Sequence, residues 1–224
     1  MINKSFPIIT YKDDEYVNKS AQIINDLIQD LIQNKKSINI ALSGGSTPLP
    51  IYEKLRTFNL KWKKIKFFMV DERCVSNTNP ESNYGNIKKI FFDFIPSLNF
   101  PIINSELSYY ESAAKYETLI RKHVNTVDKF PQFDLIILGM GLDGHTASLF
   151  PETKALTEKK KLVVLNNVPQ LNTNRITMTY PLILNSKKII LLIKGEKKRN
   201  VLKDELMDDF PISKIIPQIH LTIN

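Results

Sequence analysis

Between residues 13 and 34 apolar side chains fall at Val17, Ala21, Ile24, Ile28 and Leu31, four and three positions apart by turns. That spacing lines one face of a long amphipathic helix. The pattern then changes: residues 37–43 form a short β-prone run that leads into Gly44, Gly45, Ser46, Thr47 and Pro48 and then a helical pattern through Leu55. The unit is strand, glycine loop, helix, and it recurs. Apolar runs at 65–70, 133–138 and 188–193 read as buried parallel strands. Helices are predicted from Ser82, a capping residue, through Ile90, over 111–124 and over 196–206. Further strands are predicted at 162–165 and at 176–180, the second stopped by Pro181. Strands alternating with helices predict an α/β fold: one domain over 1–224, built on an open, mostly parallel, Rossmann-like sheet with helices on both faces.

In such a sheet the glycines become informative. Six of the seven (Gly44, Gly45, Gly139, Gly141, Gly144 and Gly195) follow a predicted strand, where an open parallel sheet places its ligand crevice. Composition adds mostly exclusions. With 42% hydrophobic and 24% charged residues the chain is not a disordered one. It has no run long enough for a membrane span and no signal-like N-terminal stretch, so a cytoplasmic protein with no membrane partner is expected. Cys74 alone cannot make an internal disulfide or a Cys-rich metal site. A net charge of +8 raises the possibility of nucleic acid as a partner. The basic pairs and triplets are scattered, without interleaved aromatics, which reads as solvated surface and predicts no nucleic-acid partner.

The loops carry the candidate chemistry. Gly44, Gly45, Ser46 and Thr47 offer two hydroxyls and successive backbone N–H groups at a helix start, suited to a phosphate or carboxylate, although an ordinary strand-to-helix turn has the same composition. The loop lacks the lysine of a Walker A motif. Residues 139–144 form a literal GxGxxG, yet Asp143 inside it would set a carboxylate where a pyrophosphate should approach. Asp143 and His145 fit better as an acid–base pair, since imidazole exchanges protons near neutral pH; a histidine capping the next helix is the plainer alternative. Asp71, Glu72 and Arg73 place two carboxylates and a guanidinium on the same crevice edge, or pair locally. Arg175, at a strand start, and Lys198 are candidate anion ligands. A thiol hydrolase built on Cys74 has no local signature, and neither GxSxG nor HExxH occurs. His123 and His220 are expected to be structural or exposed.

Taken together, ALSGGSTP, VDERCV followed by SNYGN, LGMGLDGHTASLFP, and RITMTYPLILN leading to KGEKKRNVL resemble, in order and spacing, the 6-phosphogluconolactonases of the wider glucosamine-6-phosphate isomerase/6-phosphogluconolactonase family, over roughly residues 39–206. The resemblance implies hydrolysis of 6-phospho-D-glucono-1,5-lactone in the oxidative pentose phosphate pathway. It implies His145 as base, Asp143 as the group orienting it or the water, and Gly44, Gly45, Ser46 and Thr47 as phosphate cradle. Arg73, Arg175 and Lys198 become basic substrate contacts, and Asp71 is matched without an assigned step. The expected partner is a phosphorylated sugar lactone, the expected state a monomer, with no cofactor and no metal. Deaminases of the family resemble GxDGHxAFNEP, with a glutamate where this chain has Phe150. The segment IIPQIHLTIN departs from the Trp-containing strand and Ala-rich helix usual at that point, so the last sheet edge is expected to be trimmed or packed differently.

Overall fold

Local chemistry sets where most elements begin. In the computed structural model, which describes residues 7–203 and 209–224, helix α1 (Tyr16–Gln33) buries Tyr16, Ala21, Ile24, Ile28 and Ile32, the 3–4 spacing of one face. Helix α2 (Pro48–Leu55) starts with its proline in the first turn, where the missing N–H has no partner to lose. Helix α3 (Asn83–Ile90) is capped by Ser82, whose Oγ accepts the Gly85 N–H. Helix α4 (Tyr109–His123) opens on a capping box between Ser108 and Glu111, so it begins ahead of the apolar positions that predicted it. Pro181 does not simply stop a strand; it lies in the first turn of α5 (Tyr180–Leu184). Helix α6 spans Glu196–Val201, and the rest of its predicted length, to Leu206, runs beyond the described residues.

The strands are β1 (Ile8–Ile9), β2 (Ile38–Leu42), β3 (Ile65–Met69), β4 (Asp71–Arg73), β5 (Leu98–Phe100), β6 (Thr126–Val127), β7 (Phe130–Pro131), β8 (Leu135–Gly139), β9 (Val163–Val168), β10 (Thr173–Met178), β11 (Ile189–Leu192) and β12 (Leu221–Ile223). Seven of them form one sheet in the order β1-β12-β11-β8-β2-β3-β5, every neighbouring pair parallel. The α/β reading holds, with one refinement. The predicted strands at 162–165 and 176–180 belong to a separate antiparallel sheet, β4-β10-β9. Arg175 therefore lies inside β10, not at a strand start. The sheet edge is not trimmed at IIPQIHLTIN either: β12 runs between β1 and β11.

Central strands are continuous runs of buried side chains, as burial on both faces requires. All four residues of β11 are fully buried, and so are Ile38, Ile40 and Ala41 of β2. Beside them Phe67, Phe91, Phe92 and Trp62 pack ring against ring. Each such side chain contributes about 1.5–3 kcal/mol by leaving water, so the sheet is a rigid platform for the loops at its ends. No helix among the described residues is long and apolar enough to cross a membrane.

Candidate active site

Loops from the carboxyl ends of β2, β8 and β11 meet the β4–β10 ribbon around a cavity of about 280 Å³. Nine of the ten predicted site residues line it: Gly44, Gly45, Ser46, Thr47, Asp71, Arg73, His145, Arg175 and Lys198. The tenth, Asp143, stands behind His145.

One wall is built for an anion. Among the described residues the amides of Gly44, Gly45, Ser46 and Thr47 donate to no carbonyl, and they sit at the positive end of α2. The turn needs glycine, since Gly45 has φ +102°. Facing it, Arg73 and Arg175 are direct cross-strand partners, two guanidiniums side by side. Each Nε is buried without a partner among the described residues. Arg73 Nη1 donates to the Glu81 carbonyl, whereas the Arg175 side chain makes no hydrogen bond or ion pair among the described residues. Burial, and next the charge of Arg73, hold the Arg175 pKa below its usual value. Desolvation likewise lowers that of Lys198. Cations crowded together and partly out of water favour an anion among them.

The opposite wall is the turn after β8. The Gly141 N–H donates to the His145 carbonyl at 2.8 Å, and the Thr146 hydroxyl to the Gly139 carbonyl at 2.8 Å, which folds the backbone back on itself. Asp143 Oδ1 lies 2.5 Å from His145 Nδ1 and accepts the His145 backbone N–H at 3.2 Å. A Cβ on Gly141 would stand 2.1 Å from His145 Nδ1, so only glycine admits this pair. Burial pushes the Asp143 carboxyl upward, but the hydrogen bond and charge of His145 outweigh it and hold the group below its ordinary value. An ionised carboxylate only accepts, so Nδ1 carries the proton, and it is in the neutral form of the ring that Nε2 has the lone pair. The imidazole stacks on Phe150, ring centroids 4.0 Å apart at 25°. Thr146 and Leu149 close a short bridge where a dinucleotide fingerprint would open a helix. The GxGxxG reading and the helix-cap reading of His145 both fail on that point.

Other expectations are corrected by burial. Of the two carboxylates assigned to the crevice edge only Asp71 reaches it. Glu72 is fully buried and turned into the start of α3, where it accepts the amides of Arg73, Asn83 and Tyr84 and the Ser82 hydroxyl. Burial pushes the Cys74 thiol up to about 12, which removes the thiolate a thiol hydrolase needs. His123 packs its ring at a tilt against Phe100 and His220 sits 3.0 Å from Lys188, neither of them at this cavity. Of the adjacent cations Lys198 and Arg199, Lys198 is the one on the lining.

The sequence reading missed Ser148 and Asn83. Ser148 donates to Asp71 Oδ2 at 2.6 Å; Asn83 Nδ2 donates to the Asp71 carbonyl at 3.1 Å and fills the space a Gly44 side chain would take. Their signal was present, in ASLFP and SNYGN, but a serine and an asparagine carry no role until the fold brings them beside Asp71. The C-terminal segment also bears on the site. The Ile212 N–H donates to the Gly144 carbonyl at 3.0 Å, and the Phe210 side chain occupies the place of a Gly144 Cβ.

A family model for glucosamine-6-phosphate isomerases/6-phosphogluconolactonase matches residues 11–222. The chain belongs to that family. Within this isomerase/lactonase family, a 6-phosphogluconolactonase of Chlamydia pneumoniae is 38% identical over 192 residues, 83% of this chain and 71% of that one. One from Thermotoga maritima is 35% identical over 208 residues, 92% and 90% of the two chains. The crystal structure of a 6-phosphogluconolactonase from Thermotoga maritima matches the fold with a TM-score of 0.82, at 31% identity over 98% of each chain. The family resemblance and the parallel α/β fold expected from the motifs are thus both met.

Proposed function

We propose that this protein hydrolyses 6-phospho-D-glucono-1,5-lactone to 6-phospho-D-gluconate, with His145 as general base. One observation carries the reading: His145 and the anion wall line the same cavity of about 280 Å³. The phosphate docks on the amides of Gly44, Gly45, Ser46 and Thr47 with Arg175 and Lys198 beside it, and this remote binding orients the lactone carbonyl toward the imidazole. Nε2 takes a proton from water as its oxygen attacks C1. The ring C–O bond then breaks, and the imidazolium returns the proton to the departing ring oxygen. Asp143 keeps the imidazole in the tautomer that has a lone pair on Nε2 and stabilises its charged form.

Phe150 supports hydrolysis over the family's other chemistry. Its ring packs on His145 at the position where the deaminase pattern has a proton-exchanging glutamate. A δ-lactone is an activated ester and needs only a positioned water, a base and some oxyanion stabilisation. The test is an assay with freshly prepared lactone, corrected for spontaneous opening, beside an ammonia assay with glucosamine 6-phosphate. Lactone hydrolysis without ammonia release is expected. Ammonia release, or hydrolysis no faster than the spontaneous rate, overturns the reading.

A further inference from the structure

At the amino ends of the same strands lies a second cavity, of about 470 Å³, larger than the first. Lys35, Lys36, Asn39, Lys66, Asp134 and Lys187 line it, together with His123 at the end of α4. Asn39, near the start of β2, is separated from the 44–47 loop by most of that strand, on the order of 13 Å at ~3.3 Å per residue. The two cavities share no lining residue.

Charge and hydrogen bonding in this cavity are unbalanced. Four lysines face one carboxylate. Asp134 is buried and already engaged: Oδ2 accepts the Asn39 N–H at 2.9 Å, while Oδ1 is bonded by Lys35 and lies 3.6 Å from Lys187 Nζ. Lys36 and Lys66 have no ion pair among the described residues. The crowding is visible in the titrating groups. Lys187 is pulled below its usual value, first by Lys35. His123 is lowered by burial and then by the charges of Lys66 and Lys122. Asn39 is buried as well, and its Oδ1, an acceptor without a partner among the described residues, offers nothing to an anion, so the charge of the lysines and the shape of the cavity carry the reading.

We propose that this cavity binds a small polyanion of the phosphate class, with Lys36, Lys66 and Lys187 supplying the charge. A single inorganic phosphate would leave most of the cavity empty and part of the charge unmatched, so two or more linked phosphate groups fit better. The site is independent of lactone hydrolysis and stands whether or not that reading does.

The test titrates inorganic pyrophosphate into the full chain by calorimetry, at fixed ionic strength. Three proteins are compared: the wild type, Lys36→Gln/Lys66→Gln, and Arg175→Ala. Both substituted lysines are at least partly exposed, and thermal unfolding checks that the double variant stays folded. The expected result is binding in the wild type that persists in Arg175→Ala and weakens at least tenfold in the double variant. A second readout is the NMR titration of the His123 ring, which faces Lys66, Lys122 and the cavity's Lys35, Lys36, Lys187 and Asp134. Bound pyrophosphate should move its midpoint upward in the wild type and not in the double variant. Absence of binding, binding lost in Arg175→Ala but kept in the double variant, or a His123 midpoint indifferent to pyrophosphate overturns the proposal.

Discussion

At the carboxyl ends of the parallel strands Arg73, Arg175 and Lys198 stand around a cavity whose other wall is the Asp143–His145 pair. At the amino ends Lys35 and Lys187 share Asp134 while Lys36 and Lys66 have no ion pair among the described residues, and among those residues no base faces them with an orienting carboxylate. Both ends collect cations, yet only one is equipped for chemistry. The glycines mark the difference. Gly44, Gly45, Gly139 and Gly141 line the first cavity and none lines the second. Without Cβ atoms the backbone can bring amides to a ligand and fold Asp143 against His145; with side chains alone, an end can attract an anion but has nothing to turn it over.

The largest test of that contrast is to make the carboxyl end behave like the amino end. His145→Ala should bind substrate with little change in KM and lose roughly 10²–10⁴-fold in kcat, the usual worth of general acid–base help. Steady-state lactone hydrolysis, corrected for the spontaneous reaction, measures it, and undiminished turnover would remove His145 from the base role. A smaller effect is expected on the anion wall. Arg175→Ala should weaken 6-phosphogluconate by about 10–100-fold, the range for a charged hydrogen bond of roughly 1.5–3 kcal/mol, while leaving unphosphorylated gluconate nearly unaffected. Equal losses for both ligands would make Arg175 structural.

The smallest effect is in the titration of Asp143. Its carboxyl is depressed in the folded protein, so its contribution is fully present above the unfolded value near ~3.9 and is lost as pH falls through the folded value. Carboxyl ¹³C shifts should give a midpoint below ~3.9 in the wild type. In His145→Ala the midpoint should rise, because the upward push of burial remains when the imidazole is gone. An unchanged midpoint would mean that His145 is not what holds Asp143 ionised.

Much of this was legible in the residues because it is local. Apolar spacing gives α1; Ser82 and Pro48 mark helix starts; glycines after strands mark the crevice. What was not legible depends on contacts distant in sequence. Glu72 reads like Asp71 until the start of α3 wraps it in amides. Strands β9 and β10 read like members of the parallel sheet, since period and composition do not say which strand a segment pairs with. Ser148 meets Asp71 across 77 positions, and Phe210 reaches Gly144 from the C-terminal segment. The charge clusters at Lys35, Lys36 and Lys187 look like solvated surface one at a time; only the fold sets them around a single buried carboxylate.

The central claim, that one bound molecule spans the amide loop and the imidazole, is tested most directly by a crystal structure with 6-phospho-D-gluconate. The account predicts its phosphate on the amides of Gly44, Gly45, Ser46 and Thr47 beside Arg175, and its C1 carboxylate within hydrogen-bonding reach of His145 Nε2. A phosphate held there with C1 turned away from His145, or a ligand bound with its phosphate at the imidazole, would contradict it.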